Sequence, residues 1–520
     1  MRSNRLVVMS LLVILGIGFI GGGVEAKSKK QPNIIFIYAD DHAQAAISSY
    51  GSKMNLTPHI DQLAKEGMRF SQSFVANSIC GPARATLLTG AHSHINGKIT
   101  NGGGFKDNLP TFAKSLKKAG YRTAMVGKWH IKPDPNGFDY WSRIGGGYYN
   151  PTMRTSEGVK KFEGYTTEVI TEDALKWIGE QDKTKPFMVW ISHTATHRTW
   201  MPGQQYLKRY DDRDIPEPVS LFDDYKGRSK AMADTQMRIS RDLFPAYDLK
   251  LPITGKGFLD KYAQGRLSRL TPEERKKWDE AYGPKNEAFA KANLTGKALV
   301  KWKYQRYIKD YLRCVDALDD SVGRVMGYLK EKKMDENTIV IYSSDQGFFL
   351  GEHGWYDKRW MYEPAFRTPL IVKWPGVTKA GTVSDQLVQN IDMAATFCEM
   401  GGAEVPSAYQ GLSLVPLLQG KKPSWRKGVY YHYHQIDRGK AAHTVARHYG
   451  IRTARYKLLH VYDYGDWELY DLKNDPHELS NLAGKPELAD LQARLKGQLM
   501  ELKKAYRDEA GIPDPKGVKK

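Results

Sequence analysis

The sequence predicts an α/β protein: a large mixed, mostly parallel central sheet flanked by helices, with a smaller C-terminal α+β subdomain. Three observations predict it. Short apolar runs alternate with stretches of helical periodicity, several of those runs end in carboxylates, lysines or histidines, and beyond residue 420 strand-like runs are followed by one long final helix.

The chain opens with Arg2 and Arg5, an apolar stretch from Leu6 to Ile20, Gly21-Gly22-Gly23, and Val24-Glu25-Ala26, an A-x-A-like cleavage site. Residues 1–26 are therefore expected to be a signal peptide, with residues 27–420 the large domain and 421–520 a C-terminal subdomain of a small antiparallel sheet and a terminal helix. The apolar stretch is short for a bilayer span and no Cys stands near the cleavage point, so no membrane anchor is expected after cleavage. The expected location is periplasmic or secreted.

Asn33 to Tyr38 reads as a buried strand delivering Asp40 and Asp41 at its C-terminal end, where open α/β sheets bind ligands. Thr57-Pro58 reads as an N-cap and first helical position, with Ile60, Leu63 and Ala64 at helical spacing and Gly67 closing the helix. Phe112 to Ala119 then reads as a helix, Tyr121 to Val126 as a strand, Tyr165 to Ile178 as a helix and Phe187 to Ile191 as a strand. Between Trp200 and about Leu299 the chain is polar, Pro-containing and charged, an insertion of irregular and short helical pieces expected at the rim of a site. A helical pattern through Tyr307, Tyr311, Leu312, Val315, Leu318 and Val322 leads to a strand, Thr338 to Tyr342, ending at Ser344-Asp345-Gln346-Gly347. Val429 to Tyr433, Tyr456 to Val461 and Trp467 to Leu472 read as strands, and Pro486 to Tyr506 as the last helix.

Formal charge is +20, from 78 basic and 58 acidic residues; removing residues 1–26 takes away Arg2, Arg5 and Glu25 and leaves 20 − 2 + 1 = +19. Such an excess suits an anionic partner. Export, and Lys and Arg scattered among Gly, Pro and aromatic residues, argue against nucleic acid and for an acidic glycan. A generally solvated basic surface would give the same composition. The cysteines are Cys80, Cys314 and Cys398, too few for a disulfide framework; if Cys80 is consumed chemically, the other two remain a possible pair.

The most informative segment is Ser78-Ile79-Cys80-Gly81-Pro82-Ala83-Arg84-Ala85-Thr86-Leu87-Leu88-Thr89-Gly90, with Cys80 just before a Pro-started helix. By itself, a thiol at a helix N-terminus beside Arg84 suggests a Cys nucleophile whose ionised form is favoured. The segment also matches a C-x-P-x-R signature, and from about Pro32 to Asn481 the chain resembles the formylglycine-dependent sulfatases of the alkaline phosphatase superfamily. Ala83 stands where that family more often has Ser. The resemblance implies an alkaline-phosphatase-like fold, a catalytic 27–420 domain, and oxidation of Cys80 to formylglycine (3-oxoalanine) by a formylglycine-generating or radical-type maturation enzyme. The hydrated aldehyde then supplies one hydroxyl to attack sulfur and a second whose deprotonation expels sulfate.

Charge building on oxygen calls for a hard cation with oxygen ligands and for fixed positive groups. The resemblance gives Asp40, Asp41, Asp345, Gln346 and modified Cys80 as ligands of Ca²⁺, with Mg²⁺ the alternative. It gives Lys128 in Gly127-Lys128-Trp129-His130 and Lys358 as sulfate-binding lysines, and Arg84 as the residue holding the formylglycine. His130 takes the proton during sulfate elimination and His197 protonates the leaving sugar alcohol, with His193 structural. Within the family, Tyr304 to Tyr328, Asp345 to Pro369 and Arg447 to Tyr470 are most similar to bacterial N-acetylglucosamine-6-sulfatases acting on mucin or heparan-type glycans. Expected sugar contacts are Asp357, Arg359, His353 and His448, with Trp200 and Trp355 stacking on a sugar face. The competing readings are a sulfatase for another sulfated polysaccharide such as an algal galactan, a phosphodiester or phosphonate hydrolase of the same superfamily, and a non-catalytic binder of acidic glycans.

Overall fold

The strands Asn33–Ala39, Phe187–Ser192 and Thr338–Ser344 are buried along their whole length, because each lies mid-sheet with both faces covered. The structure, a computed structural model, describes residues 31–435 and 443–508; the expected signal peptide, residues 1–26, lies outside the described residues. Among those described, ten strands form the main sheet in the order Thr382–Ser384, Met68–Phe70, Leu370–Lys373, Thr338–Ser344, Asn33–Ala39, Phe187–Ser192, Arg122–Lys128, Tyr140–Ile144, Thr152–Thr155, Gly158–Lys161. Its middle is parallel, with Asn33–Ala39 paired to both Phe187–Ser192 and Thr338–Ser344, and Arg122–Lys128 paired to Phe187–Ser192. Leu370–Lys373 runs antiparallel to both its neighbours, and an antiparallel hairpin closes the other edge.

Side-chain alternation along these strands divides the core in two. Ile35, Ile37, Val189 and Ile191 face the helices Pro58–Glu66, Thr166–Gly179 and Gly296–Glu331. Ile34, Phe36, Trp190 and Ile341 face the helices Cys80–Thr89, Phe112–Lys118 and Met393–Met400. Cys314 belongs to the first core and Cys398 to the second, so the sheet separates them; each is a free, buried thiol, and the possible pair is not formed.

The C-terminal sheet is antiparallel, ordered Gly428–Tyr433, His448–Thr453, Tyr456–Val461, Asp466–Asp471. One face receives Leu495 and Leu499 of the helix Ala489–Ala505, and the other packs Val429, Tyr431, Leu459 and Tyr470 against Ile79, Ala83, Trp360 and Phe366. It therefore backs the segment that carries Cys80. A buried ionic lock reinforces the joint: fully buried Lys457 donates to Glu478 at 2.5 Å and pairs with Glu363 at 2.9 Å, and Arg452 reaches Glu363 at 3.3 Å.

Several expectations need correction. The helix bearing the C-x-P-x-R segment begins at Cys80 itself, not at Pro82. The insertion contains short helices, as expected, but also the 21-residue helix Pro272–Ala292, whose charged sequence hides its periodicity. Its start was nevertheless written locally, as a Thr271–Glu274 capping box with Pro272 in the first turn. The His448–Thr453 strand and the short edge strands were not foreseen, being too short or too polar to signal burial. Removing Lys457 leaves buried Glu478 without its ion-pair partner and facing Glu363, which keeps only Arg452 and Arg367, so Lys457→Ala is expected to cost about 3–5 kcal/mol in urea denaturation.

Candidate active site

Four parallel strand ends meet above the sheet. Asn33–Ala39 delivers Asp40 and Asp41, Thr338–Ser344 delivers Asp345 and Gln346, Arg122–Lys128 ends on Lys128, and Phe187–Ser192 leads to His193 and His197. Cys80, the first residue of its helix, points into this convergence, with Gln346 Nε2 3.5 Å from its Sγ. Gly81 next to it is closely surrounded: a Cβ there would lie 2.9 Å from Lys98 Cε and 3.3 Å from the His130 carbonyl oxygen.

Arg84, one helical turn after Cys80 and fully buried, organises the floor. Its Nε donates to Asp345 Oδ2 at 3.0 Å, and its NH1 donates to the Lys128 carbonyl at 2.9 Å and to Ser192 Oγ at 2.6 Å. Lys128 Nζ donates to Asp40 Oδ2, and Lys358 Nζ donates to Asp41 Oδ2 at 2.5 Å. The Asp41 carboxylate keeps Lys358 charged despite its burial. Burial, with Asp40 close by, pushes the Cys80 thiol up to about 12, against the pull of Lys128 and Lys358. This corrects the reading of an ionised thiol: desolvation and carboxylates outweigh the helix terminus and Arg84.

Asp40, Asp41 and Asp345 bring carboxylate oxygens within 4.8 Å of one another. Burial and then Asp40 push Asp345 up to about 8. Asp40 Oδ1 and Gln346 Oε1 are buried and make no hydrogen bond. Crowded carboxylates beside orphaned oxygen acceptors fit a hard divalent cation with oxygen ligands.

His197 Nδ1 lies 2.6 Å from the Arg198 carbonyl, which can only accept, so Nδ1 carries the proton and Nε2 is left for the site. Burial, then Lys128 and Lys358, hold this imidazole well below its usual value. His197 groups with Asp40 and Cys80 within 4.8 Å. His193 is buried with Nε2 3.0 Å from Ser321 Oγ, and His130 stands exposed at φ 56° beyond Lys128.

Beside Lys358, Asp357 Oδ1 accepts from Arg359 NH1 at 2.6 Å, and its Oδ2 lies 3.4 Å from His443 Nδ1. His443 thus takes the place expected of His448. Both His448 nitrogens are engaged, Nε2 accepting the Met361 N–H at 3.0 Å and Nδ1 facing the Ala446 carbonyl at 2.9 Å, while the fully buried ring stacks on Trp360. The structure does not bring Trp200, Trp355 or His353 to the site either. Trp200 is fully buried among Tyr307, Phe348 and Tyr356; Trp355 is fully buried against Tyr225 and Trp360; His353 is buried with Nδ1 2.8 Å from Asp223. The sequence places these rings among the expected sugar contacts, whereas the fold uses them as core.

Sequence reasoning also missed the supports of His197. Tyr148 OH donates to its carbonyl at 2.5 Å, and Asp248 in the insertion takes Arg198 Nε at 2.6 Å and NH2 at 2.5 Å. Asp248 lies fifty residues from Arg198 in sequence, with no local motif to announce the pairing.

Residues 32–403 match the sulfatase family model. The chain belongs to the sulfatase family. Residues 351–505 of this sulfatase also match the model of the N-sulphoglucosamine sulphohydrolase C-terminal region. It is 43% identical, over 99% of its own length and 93% of the relative's, to an N-acetylglucosamine-6-O-sulfatase of Bacteroides thetaiotaomicron. It is similar, at TM-score 0.90 and 43% identity over 93% of this chain and 100% of the other, to a structure solved in complex with its substrate D-glucosamine-2-N,6-O-disulfate. At 19% identity and TM-score 0.67, over 91% of this chain and 96% of the other, it shares its fold with the phosphonate monoester hydrolase of Agrobacterium radiobacter. Sulfatases of this family generally use a formylglycine and a divalent metal, and the acidic cluster could hold a metal.

If the three carboxylates hold a cation, chelator-treated protein should gain thermal stability on adding CaCl₂ in excess, by mass action on the folded state. Asp41→Ala should lose that gain in differential scanning fluorimetry. An equal gain in the variant would place the cation elsewhere.

Proposed function

We propose that this sulfatase removes the 6-O-sulfate of N-acetylglucosamine residues in mucin or heparan-type glycans, after export to the periplasm or beyond. The observation that carries the reading is a convergence: Lys128, Lys358 and His197 surround Cys80, and Asp357, Arg359 and His443 stand beside Lys358. The substrates of the relatives at 43% identity support the sugar and the 6-position. The A-x-A-like pattern ending at Ala26 supports export.

Cys80 Sγ marks where a formylglycine oxygen would sit, and the raised thiol pKa fits a residue whose unmodified form is not the nucleophile. Once formed by a maturation enzyme, that group supplies an oxygen nucleophile, and Ca²⁺, with Mg²⁺ the alternative, supplies Lewis acidity at a sulfate oxygen. Asp40, Asp41, Asp345 and Gln346 would hold the cation. Arg84 fixes Asp345 and the helix start, and so holds the nucleophile's position.

Lys128 and Lys358 are paired with Asp40 and Asp41, so the bare site is close to charge-balanced. With the carboxylates shared with a cation, both ammonium groups turn their protons toward sulfate oxygens and stabilise the charge that develops there. His197, once it has taken up a second proton on Nε2 from solvent as the anionic ester binds, gives that proton to the departing sugar alcohol while its Nδ1–H stays on the Arg198 carbonyl. Burial, then the two lysines, hold His197 neutral in the bare site, and the anionic ester offsets the lysines. His130 takes the proton whose loss releases sulfate. Asp357, Arg359 and His443 present an acceptor and donors on neighbouring positions, suited to sugar hydroxyls.

Sulfate release from N-acetylglucosamine-6-sulfate, by protein made with a formylglycine-generating partner, is expected to vanish in Cys80→Ala. Mass spectrometry of the Cys80 peptide should show 3-oxoalanine, and unmodified thiol in fully active protein would sink that chemistry. No release from correctly matured protein would instead sink this sugar. His197→Ala should lower kcat by about 10²–10⁴ with little change in KM, whereas Asp357→Ala should act mainly on KM in the same steady-state assay.

A further inference from the structure

The insertion that follows His197 carries a strip of aromatic rings leading outward from the site. Arg198 is clamped by Asp248, and its guanidinium lies 5.5 Å from the Phe244 ring centroid and 5.6 Å from that of Tyr247. Phe244 and Tyr247 are themselves half-buried. Phe244 contacts Phe258 at a centroid distance of 6.0 Å. Phe258 is 54% exposed and Tyr262, four residues on, is 64% exposed.

The helix Asp260–Leu267 that bears Tyr262 packs on the helix Pro245–Leu249 that bears Tyr247 and Asp248. Thr199, two residues beyond His197, lines a small cleft with Tyr247, Lys250 and Arg266 between these elements. The strip is thus physically continuous with the segment holding His197. Lys256 and Lys261, both exposed, stand two residues before Phe258 and one before Tyr262 in sequence.

Large aromatic groups left in water, joined through packed rings and helices to the segment that carries a site residue, mark a contact surface. Flat ring faces accept the apolar faces of pyranose rings, and the two lysines supply charges for sulfate or carboxylate groups. The net charge of +20 draws the same kind of polymer toward the surface.

We propose that Phe258 and Tyr262, with Lys256 and Lys261, form a platform for the sugars adjoining the one that carries the scissile sulfate. This rests on the glycan-sulfatase reading above and extends it from a single sugar to a chain. The platform contributes to binding and not to the chemical step, so it acts on oligosaccharides and leaves a monosaccharide untouched.

The test is the double variant Phe258→Ala/Tyr262→Ala, whose changed side chains are exposed and leave the fold intact. Its kcat/KM for a heparan-type tetrasaccharide ending in 6-O-sulfated N-acetylglucosamine should fall about tenfold, mainly through KM, if each ring contributes as stacked aromatic groups do. For N-acetylglucosamine-6-sulfate it should match the parent. In parallel, calorimetric binding of a heparin-derived octasaccharide to Cys80→Ala protein should weaken when the two ring substitutions are added. If the parent turns over neither substrate, the function reading has failed, and the binding arm still decides the platform. Equal losses on monosaccharide and tetrasaccharide, or an octasaccharide affinity unchanged by the double substitution, overturn the proposal. So does a double variant that loses self-association or anionic-vesicle binding while its oligosaccharide kinetics stay intact.

Discussion

The buried guanidinium of Arg84 is the contact on which the site depends. A cation removed from water is tolerated only with partners at close range: Arg84 donates from Nε to Asp345 and from NH1 to the Lys128 carbonyl and Ser192 Oγ, while NH2 makes no hydrogen bond and faces the Asp345 carboxylate at 3.0 Å as an ion pair. Those partners come from three different strands of the parallel sheet. One side chain therefore fixes the relative heights of three strand ends, and Cys80 sits one turn before it on the same helix. Tyr38, whose ring lies 5.2 Å from the guanidinium, and the apolar layer beneath keep water out.

Gathering these charges in a dry pocket decides which chemistry is open to Cys80. A free thiol there is held protonated, since burial and Asp40 act against ionisation more strongly than two lysines act for it. The same surroundings favour an oxygen nucleophile next to a cation, where the positive groups act on charge that appears during reaction. The environment that disfavours the thiolate is one that suits the oxidised cysteine that sulfatases of this family generally use.

Much of the site was legible because its parts are local. Asp40-Asp41, Asp345-Gln346, Gly127-Lys128 and the Cys80 segment each sit at the end of an apolar run or the start of a helix, and strand ends in an open α/β sheet share one rim. The alternation of strands and helices was legible for the same reason. What failed needed knowledge of packing. His443 and His448 stand five residues apart, yet His448 falls on the first residue of a strand that turns it into the core, while His443 lies in the connection before it. Trp200, Trp355 and His353 neighbour site residues in sequence but belong to aromatic clusters that the sequence does not outline. The helix Pro272–Ala292 stayed hidden because it buries only Trp278, Ala281 and Tyr282.

The backbone at the site is held where ordinary residues rarely go. Asp41, Asp357 and Arg359 lie at φ 68°, 79° and 92°, the left-handed side normally left to glycine. Such positions cost on the order of 1–3 kcal/mol each and persist only when their surroundings over-determine them. Here the surroundings are ion pairs and hydrogen bonds: Lys358 Nζ and the Gln346 amide donate to the Asp41 carboxylate, and Arg359 NH1 and the Lys358 backbone N–H donate to Asp357. Lys358 lies between the Asp41 and Asp357 carboxylates, with Arg359 on Asp357 beside it, so these charged groups are set by one short segment. That segment is braced from behind by Tyr431 OH on the Arg359 carbonyl, a contact from the C-terminal sheet. The C-terminal sheet therefore braces the segment that carries Asp357, Lys358 and Arg359, and the two parts of the chain are joined through buried charges as well as apolar contacts.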